Sequence, residues 1–285
     1  MKEYWVNFTV KNGEKFLKKS IEFLLEQSIK PSLICVVDDG STDNTPTILK
    51  ELQQKNNEII HIITLPDKGY DIRRLVHNLN AACEFVKESN KEYDYMLIGN
   101  EDVFFPKDYV ERLIAEMEKN TSLAVTSGTR GLERSDRFSL PEGAGRFVRS
   151  SFFKQADYSF PSYYGYESWL LYKALQLGYK VKKFMDLKYE HARDFGVEHG
   201  FVEYGVAMRC LGYHPLFVLG RVLRNIVSSK TGISKKTSIR MLLDYLSKDK
   251  WKNDPYFHYF EPEFRKFVRN TQMKRILNKF GFDQH

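Results

Sequence analysis

Carboxylates follow two apolar segments in the first half of the chain. Val36-Val37 leads into Asp38-Asp39, and Tyr95–Gly99 leads into Asn100-Glu101-Asp102. Acidic side chains at the carboxyl end of a buried strand can hold Mg²⁺ or Mn²⁺ against a diphosphate, because hard cations prefer oxygen ligands. Taken singly, each group could equally be a turn or a helix cap, since Asp, Gly, Ser and Thr favour turns.

The segments around these carboxylates predict alternating strands and helices. Apolar runs predict strands over residues 5–10, 33–37, 59–65, 95–99 and 180–184. Apolar residues at helical spacing predict helices over residues 14–27, 47–54 and 108–119, and one ending near residue 87. This order is typical of an α/β protein with a mostly parallel sheet, which binds ligands at the carboxyl ends of its strands.

Four short segments, taken in chain order, carry a family resemblance. They are Thr9-Val10-Lys11-Asn12, the ten residues from Val36 to Thr45, Asn100-Glu101-Asp102, and Gly165-Tyr166-Glu167-Ser168-Trp169 with Gly178-Tyr179 downstream. Over residues 3–195 they resemble the motifs of the inverting family 2 glycosyltransferases of the GT-A fold. The resemblance implies a Rossmann-like, mostly parallel sheet flanked by helices, with a C-terminal helical extension.

The resemblance also implies a division of the chain. Residues 1–200 would form a GT-A nucleotide-sugar glycosyltransferase domain, and residues 201–285 a basic amphipathic helical region. Charge supports this division, because residues 201–285 hold 16 Lys+Arg against 7 Asp+Glu. The first 200 residues hold 28 against 30, so the basic character belongs to the last third.

The resemblance assigns donor binding to residues that follow the predicted strands. Asp39 would accept the imino N–H of uracil or guanine in a charge-assisted hydrogen bond. Thr9 and Lys11 would flank the base and ribose. Arg73, or Arg74 in its place, would reach the diphosphate as a bidentate cation unless the two are only solvated helix charges. The other predicted donor-binding residues are Asn12, Asn100 and Glu101.

The resemblance assigns the chemistry to later motifs. Asp102 would be the principal ligand of a divalent metal, Mn²⁺ or Mg²⁺, and His191 would complete the metal shell. Glu167 would be the general base, because an inverting transfer needs one carboxylate to take the proton of the attacking hydroxyl. Two positions depart from the pattern: Asn100 stands where an Asp is common, and Tyr166 where a second acid is common.

The expected function is metal-dependent, inverting transfer of a sugar from a UDP- or GDP-linked donor to a hydroxyl acceptor, with lipid-linked and polysaccharide glycans among the candidate acceptors. One alternative is a sugar-nucleotide-binding protein with reduced catalysis, suggested by Asn100 and Tyr166. Another is a nucleotidyltransferase. That class usually carries a glycine-rich basic loop after the first strand, where this chain has only Lys11-Asn12-Gly13.

The C-terminal region leaves several partners open. We expect one long helix or two over residues 201–227, broken near Gly212, and further helices over residues 237–247 and 264–280. Basic residues interleaved with aromatic residues and leucines suit the face of an anionic membrane, nucleic acid, or a helical cap on the catalytic domain. No recognised nucleic-acid-binding module is present, so we expect no nucleic acid partner. Peripheral membrane contact and a simple cap both stay open.

Cysteine usage and hydropathy indicate the compartment. The three cysteines are far apart and lack metal-ligand spacing, which favours a reducing environment. The charged N-terminus does not resemble a signal peptide. No apolar run approaches the ~18 residues that span a bilayer. We therefore expect a cytoplasmic protein, either free or peripheral on the inner face of the membrane.

Overall fold

The structure is a computed structural model that describes residues 2–69, 71–130, 140–193, 203–227, 233–247 and 249–279. Its strands are β1 (Tyr4–Val10), β2 (Leu33–Asp38), β3 (Ile60–Thr64), β4 (Tyr95–Asn100), β5 (Val103–Phe104), β6 (Leu123–Thr129), β7 (Phe147–Arg149), β8 (Lys180–Lys188) and β9 (Glu190–His191). Its helices are α1 (Leu17–Leu25), α2 (Thr45–Lys55), α3 (Leu75–Glu88), α4 (Tyr109–Lys119), α5 (Ser150–Lys154), α6 (Tyr166–Gln176), α7 (Tyr204–Cys210), α8 (Pro215–Val227), α9 (Lys235–Leu246) and α10 (Pro262–Lys279).

The main sheet has the strand order β3-β2-β1-β4-β7-β6-β8. The neighbours β3/β2, β2/β1, β1/β4 and β6/β8 are parallel, whereas β7 runs antiparallel to β4 and β6. Every residue of β1 and β2 is buried, as expected for parallel strands covered by helices on both faces. The predicted mostly parallel α/β sheet is confirmed.

The helices cover the sheet with apolar stripes. Helix α1 buries Leu17, Ile21 and Leu24, which recur at helical spacing. It is shorter than the predicted helix over residues 14–27, because the preceding residues form a turn in which Gly13 O accepts the N–H groups of Phe16 and Leu17. Together with the apolar residues of the central strands, these side chains form the main hydrophobic core.

The chain forms two compact units that do not follow sequence order. The first comprises Met1–Pro161 and Leu177–Arg193, and the second comprises Ser162–Gln176 and Asp194–His285. Helix α6 therefore packs with the C-terminal helices, where its Tyr172 shares a core with Leu211, Val218 and Met241. The predicted domain boundary at residue 200 stays a prediction.

The second unit is helical, as expected for the C-terminal region. Helix α9 covers residues 237–246 of the helix predicted over 237–247, and α10 covers most of 264–280. The segment predicted over 201–227 is divided into α7 and α8 around Gly212, which has φ +75°. Phe201 and Phe280, the outer ends of two predicted helices, lie outside the described residues. Within the described ranges, no helix is long and apolar enough to cross a membrane.

The close packing around Gly40, in the turn after β2, can be tested by substitution. Its φ is +67°, and an added Cβ would lie 2.3 Å from the backbone nitrogen of Asp67. Gly178 has a similar φ of +84°, but an added Cβ there meets nothing within 4 Å. We expect Gly178→Ala to lower the free energy of unfolding by about 1 kcal/mol, because of φ alone. Gly40→Ala should lower it by about 1–2 kcal/mol more, because the backbone must shift.

Urea denaturation of both variants measures the difference. Equal losses for the two substitutions would show that Gly40 is needed only for its backbone conformation and not for the close approach to Asp67.

Candidate active site

The turn after β2 is built by backbone and side-chain hydrogen bonds. Asp38 Oδ1 accepts the N–H of Ser41 at 2.9 Å, and Asp38 O accepts the N–H of Leu65 at 2.8 Å. Asp39 N–H donates to Val10 O at 2.9 Å, which continues the pairing of β2 with β1. Asp38 is thus used within the turn, while Asp39 follows the end of the strand with its side chain buried.

Lys11 holds the same turn from β1. Its ammonium donates to Asp39 O at 2.7 Å, to Gly40 O at 3.1 Å and to Asp67 Oδ1 at 2.8 Å. The hydrogen bond from Lys11 lowers the pKa of Asp67. Lys11 therefore ties the turn to the segment after β3, and its predicted place beside the base and ribose stays a prediction.

Thr9 and Asn12 complete the end of β1. Thr9 is buried and pairs in register with Val37 of β2 on one side and Asn100 of β4 on the other. Asn12 has φ +51°, and its Oδ1 accepts the N–H of Thr42 at 2.8 Å. The two predicted acidic motifs therefore lie on strands that flank β1.

The two predicted arginines have different partners. Arg74 Nη2 lies 2.5 Å from Asp39 Oδ1, and the two side chains are only 12% and 5% exposed. Arg73 instead pairs with Asp71, Nη2 to Oδ2 at 2.7 Å, in a more exposed contact. Arg74 therefore contacts the carboxylate that is predicted to bind the base.

The contact between Arg74 and Asp39 leaves hydrogen-bonding capacity. Apart from the ion-pair contact with Arg74 Nη2, the buried Asp39 Oδ1 has no hydrogen-bond donor among the described residues. The buried Arg74 Nη1 likewise has no acceptor there. Buried polar groups are usually satisfied, so an acceptor beside a donor of this kind suits a polar ligand edge.

The second acidic group is fixed to the neighbouring strand. Ser20 Oγ, on α1, lies 2.9 Å from both Asn100 O and Val103 O, so this hydroxyl holds the turn that carries Glu101 and Asp102. Strand β5 then pairs with β9, which puts Val103 opposite His191. Both acidic side chains are buried.

This small β5/β9 sheet brings His191 to Asp102. Their Nδ1 and Oδ2 atoms are 3.6 Å apart. Burial lowers the pKa of His191, against the effect of the Asp102 charge, so the ring is neutral near pH 7. Nδ1 also lies 3.0 Å from Arg193 O, a carbonyl that can only accept. A neutral ring that donates from Nδ1 keeps its lone pair on Nε2.

Arg193 is a site residue that the sequence reasoning missed. Its Nη1 lies 3.0 Å from Glu101 Oε1, and its Nε lies 3.8 Å from Asp102 Oδ2. The only available signal was its position two residues after His191, which sequence periodicity cannot connect to Glu101. Arg193 neutralises part of the charge of the acidic pair.

The donor set is compatible with a divalent cation of the Mn²⁺ or Mg²⁺ class. Asp102 offers carboxylate oxygens and His191 a neutral imidazole nitrogen, both from side chains that are mostly buried. Among the described residues, no group of three or more His, Cys, Asp or Glu side chains could hold a metal. Mg²⁺ and similar cations are commonly held by one or two carboxylates together with substrate phosphates and waters. The residues present fit that mode of binding.

Glu167 opens helix α6 in the second unit. Gly165 has φ +94°, and an added Cβ there would lie 2.8 Å from the Leu211 side chain, so the turn before the helix requires glycine. Trp169 N–H donates to Gly165 O at 2.8 Å, which starts the helix. Glu167 is exposed in the first turn of that helix. Its predicted role as a general base stays a prediction.

A family model described as "Glycosyl transferase family 2" matches residues 6–176, which include the four motifs as far as Trp169 but not Gly178-Tyr179, His191 or Arg193. The chain belongs to glycosyltransferase family 2. It is similar to the dTDP-rhamnosyl transferase RfbG of Shigella flexneri, with 26% identity over 149 residues, 51% of this chain and 48% of that protein. It is also similar to the chondroitin synthase of Escherichia coli, with 31% identity over 124 residues, 43% of this chain and 16% of that protein.

The chain therefore spans about half of the length of the rhamnosyl transferase and much less of the length of the chondroitin synthase. Solved structures of similar fold include S. aureus TarS 1–349 in complex with UDP-GlcNAc, with a TM-score of 0.55 and 17% identity over 86% of this chain and 72% of that one. Another is the mannosyltransferase PcManGT of Pyrobaculum calidifontis in complex with GDP-Man and Mn²⁺, with a TM-score of 0.56 and 12% identity over 99% and 76%. These likenesses confirm the predicted GT-A fold of this family 2 glycosyltransferase chain.

Burial of the Arg74–Asp39 ion pair predicts how substitutions there change the free energy of unfolding. We expect Arg74→Gln to lower the free energy of unfolding by about 2–4 kcal/mol, because it leaves a buried carboxylate without its cation. Asp39→Asn combined with Arg74→Gln should cost less than the sum of the two single losses, by about 1–3 kcal/mol. Arg73→Gln is the matched control, since its more exposed ion pair should contribute less than about 1 kcal/mol.

Urea denaturation of the wild type, the single variants and the double variant measures the free energies of unfolding that this comparison needs. Strict additivity of the Arg74 and Asp39 losses would show that the two side chains do not interact in solution.

Proposed function

We propose that the chain transfers a sugar, with inversion and with a divalent metal, from a nucleoside-diphosphate sugar to a hydroxyl acceptor. The observation that carries the proposal is the placing of two groups at the carboxyl ends of the two strands that flank β1. Asp39 with Arg74 follows β2, and Asp102 with His191 follows β4, on either side of β1. One group suits a nucleotide base, and the other suits a metal-bound diphosphate.

The base half of the site suits a base with a ring N–H beside a carbonyl. Uracil, thymine and guanine each present such a donor and acceptor side by side. The buried Asp39 Oδ1 can accept that N–H, while Arg74 Nη1 can donate to a neighbouring carbonyl. Among these bases we favour uracil or thymine, and so a UDP- or dTDP-linked donor over a GDP-linked one. The dTDP-rhamnosyl transferase relative and the neighbour solved with UDP-GlcNAc support this choice.

In this proposal, Asp102 and His191 would hold Mn²⁺ or Mg²⁺ at the diphosphate half. A bound divalent cation supplies positive charge that stabilises the departing diphosphate. Arg193 would keep Glu101 neutralised, so that Asp102 carries the metal-binding charge of this turn. The neighbour solved with GDP-Man and Mn²⁺ supports a metal in this fold.

Glu167 would act as the general base. Its carboxylate would take the proton of the acceptor hydroxyl as the hydroxyl oxygen bonds to the anomeric carbon and the bond to the diphosphate breaks. Glu167 is exposed in the first turn of helix α6. Asn12 and Asn100 would contribute polar contacts to the donor. A glycan acceptor is supported by the relatives named as a rhamnosyl transferase and a chondroitin synthase.

We also propose a cytoplasmic location. Cys35, Cys83 and Cys210 are buried and unpaired, and burial raises the pKa of the Cys35 and Cys210 thiols to about 12. Such thiols are unreactive fillers of the core rather than disulfide partners or metal ligands. A reducing compartment suits them.

Nucleotide binding provides the first test of the proposed site. UDP and dTDP with Mn²⁺ should raise the melting temperature of the wild type, because a ligand that binds only the folded state stabilises it by mass action. GDP should produce a smaller rise. Asp102→Asn should remove the metal-dependent part of the shift, whereas Asp108→Asn, an exposed carboxylate before α4, should leave it unchanged.

A thermal-shift series measures these effects for each nucleotide with Mn²⁺ and with a chelator. A wild type that shifts with none of the nucleotides would rule out the proposed donor site, and a larger shift with GDP would overturn the choice of a UDP- or dTDP-linked donor.

Turnover provides the second test. Glu167→Gln should lower the rate of UDP or dTDP release from a sugar-nucleotide panel by about 10²–10⁴-fold, since the amide cannot take the proton. The nucleotide-dependent thermal shift should be retained. Glu51→Gln, an exposed glutamate on α2, is the matched control and should keep the wild-type rate. Release of nucleotide at the wild-type rate by Glu167→Gln would remove this residue from the proposed chemistry.

The same measurement decides between an enzyme and a binding protein with reduced catalysis. A wild type that binds nucleotide but releases none from any sugar nucleotide, with or without glycan acceptors, would support the reduced protein.

A further inference from the structure

Two helices of the second unit, α8 and α9, expose most of the large apolar side chains that face water in the described part of the chain. Helices α8 and α9 pack against each other. Among the described residues, they carry seven of the ten large apolar side chains that are clearly exposed. On α8 these are Leu216, Leu219, Leu223 and Val227, and on α9 they are Ile239, Leu243 and Leu246. Their exposed fractions run from 41% to 85%, so these side chains face water rather than the protein interior.

The exposed side chains of α8 form a second stripe. The helix buries Val218 and Val222 on one face, which packs in the core of the second unit. Leu216, Leu219 and Leu223 recur at intervals of three and four residues, on the face opposite the buried one. An ordinary surface helix turns polar residues to that face. Helix α8 is therefore apolar on two sides, and only one of them packs against other described residues.

Helix α9 repeats the pattern. It buries Ser238, Met241, Asp244 and Tyr245, and exposes Ile239, Leu243 and Leu246 at intervals of four and three residues. We define these exposed residues of the two helices, Leu216, Leu219, Leu223, Val227, Ile239, Leu243 and Leu246, as the leucine surface. Exposed apolar residues concentrated in this way mark an interaction site more often than isolated ones do.

The charges on these helices indicate the chemistry of the partner. The sequence of α8 contains no acidic residue, and that of α9 contains one, Asp244. Asp244 is buried and pairs with Lys250 at 2.5 Å. The exposed charges of the two helices are all positive, from Arg224, Lys235, Lys236 and Arg240. A second copy of the chain would bring like charges together, whereas anionic lipid headgroups would neutralise them.

We propose that the leucine surface binds the interface of an anionic lipid bilayer. The leucines enter the boundary between headgroups and acyl chains, and the lysines and arginines beside them contact phosphate groups. The helices lie on the bilayer without crossing it, which agrees with the lack of any spanning helix in the described part of the chain. This inference goes beyond the proposed function and does not depend on it, because lipid binding can be measured without any nucleotide.

Vesicle flotation of the full chain tests the apolar part of the proposal. The wild type should float with phosphatidylcholine vesicles that contain phosphatidylglycerol. Leu223→Gln combined with Leu243→Gln should weaken this binding by about 10–100-fold, because two leucines no longer enter the bilayer. Leu177→Gln is the matched control, since Leu177 is exposed but lies outside the two helices. It should bind like the wild type.

The charge of the surface is tested in the same assay. Lys235→Gln combined with Lys236→Gln should weaken binding to the phosphatidylglycerol vesicles by about tenfold and leave binding to pure phosphatidylcholine unchanged. Lys50→Gln combined with Lys55→Gln, two exposed lysines of α2, is the control with the same change of charge. All variants should melt like the wild type, since none of the changed side chains is buried.

Three results would overturn the proposal. The first is a wild type that does not float with anionic vesicles. The second is flotation that survives Leu223→Gln with Leu243→Gln. The third is a dimer, seen by sedimentation velocity in the absence of lipid, that the same double variant dissociates while vesicle binding is absent, which would assign the leucine surface to a second copy of the chain.

Discussion

The site depends on the register of three adjacent parallel strands, β2, β1 and β4. Thr9 lies opposite Val37 on one side and Asn100 on the other, so Asp39 and Asp102 each follow this line by two residues. The strands are buried, and a slip of one residue would turn every buried side chain to the opposite face. Packing of the apolar core therefore sets the places of the carboxylates.

The same edge of the sheet must tolerate concentrated negative charge. Four carboxylates there are each at most 7% exposed: Asp38, Asp39, Glu101 and Asp102. Charges buried without partners are very costly, so each must be paired or hydrogen-bonded. Asp38 uses the N–H of Ser41, and two arginines from distant segments, Arg74 and Arg193, meet the others. These arginines are as much part of the site as the acids are.

Sequence reasoning could predict the strands and the acidic turns, because hydrophobic periodicity and the residue preferences of turns depend only on neighbouring residues in the chain. It could not tell Arg73 from Arg74. Asp71 accepts the N–H of Arg73 and pairs with its guanidinium, so Arg73 turns back on its own segment and Arg74 faces Asp39. Arg193 was missed for a related reason, since its contact with Glu101 depends on the pairing of β5 with β9. The grouping of α6 with the C-terminal helices is also a tertiary property that no local pattern contains.

The pairing at this edge is incomplete in a way that suits a ligand. Arg193 lies closer to Glu101 than to Asp102, at 3.0 Å against 3.8 Å, so Asp102 is the less neutralised of the two. Arg74 forms an ion pair with Asp39, but two buried atoms of this pair, Asp39 Oδ1 and Arg74 Nη1, keep hydrogen-bonding capacity for a ligand. Full pairing would make the apo protein more stable and would leave nothing for a ligand to satisfy. Under the proposed function, a nucleotide and its metal would complete these interactions, so the free energy missing from the apo fold becomes available for binding.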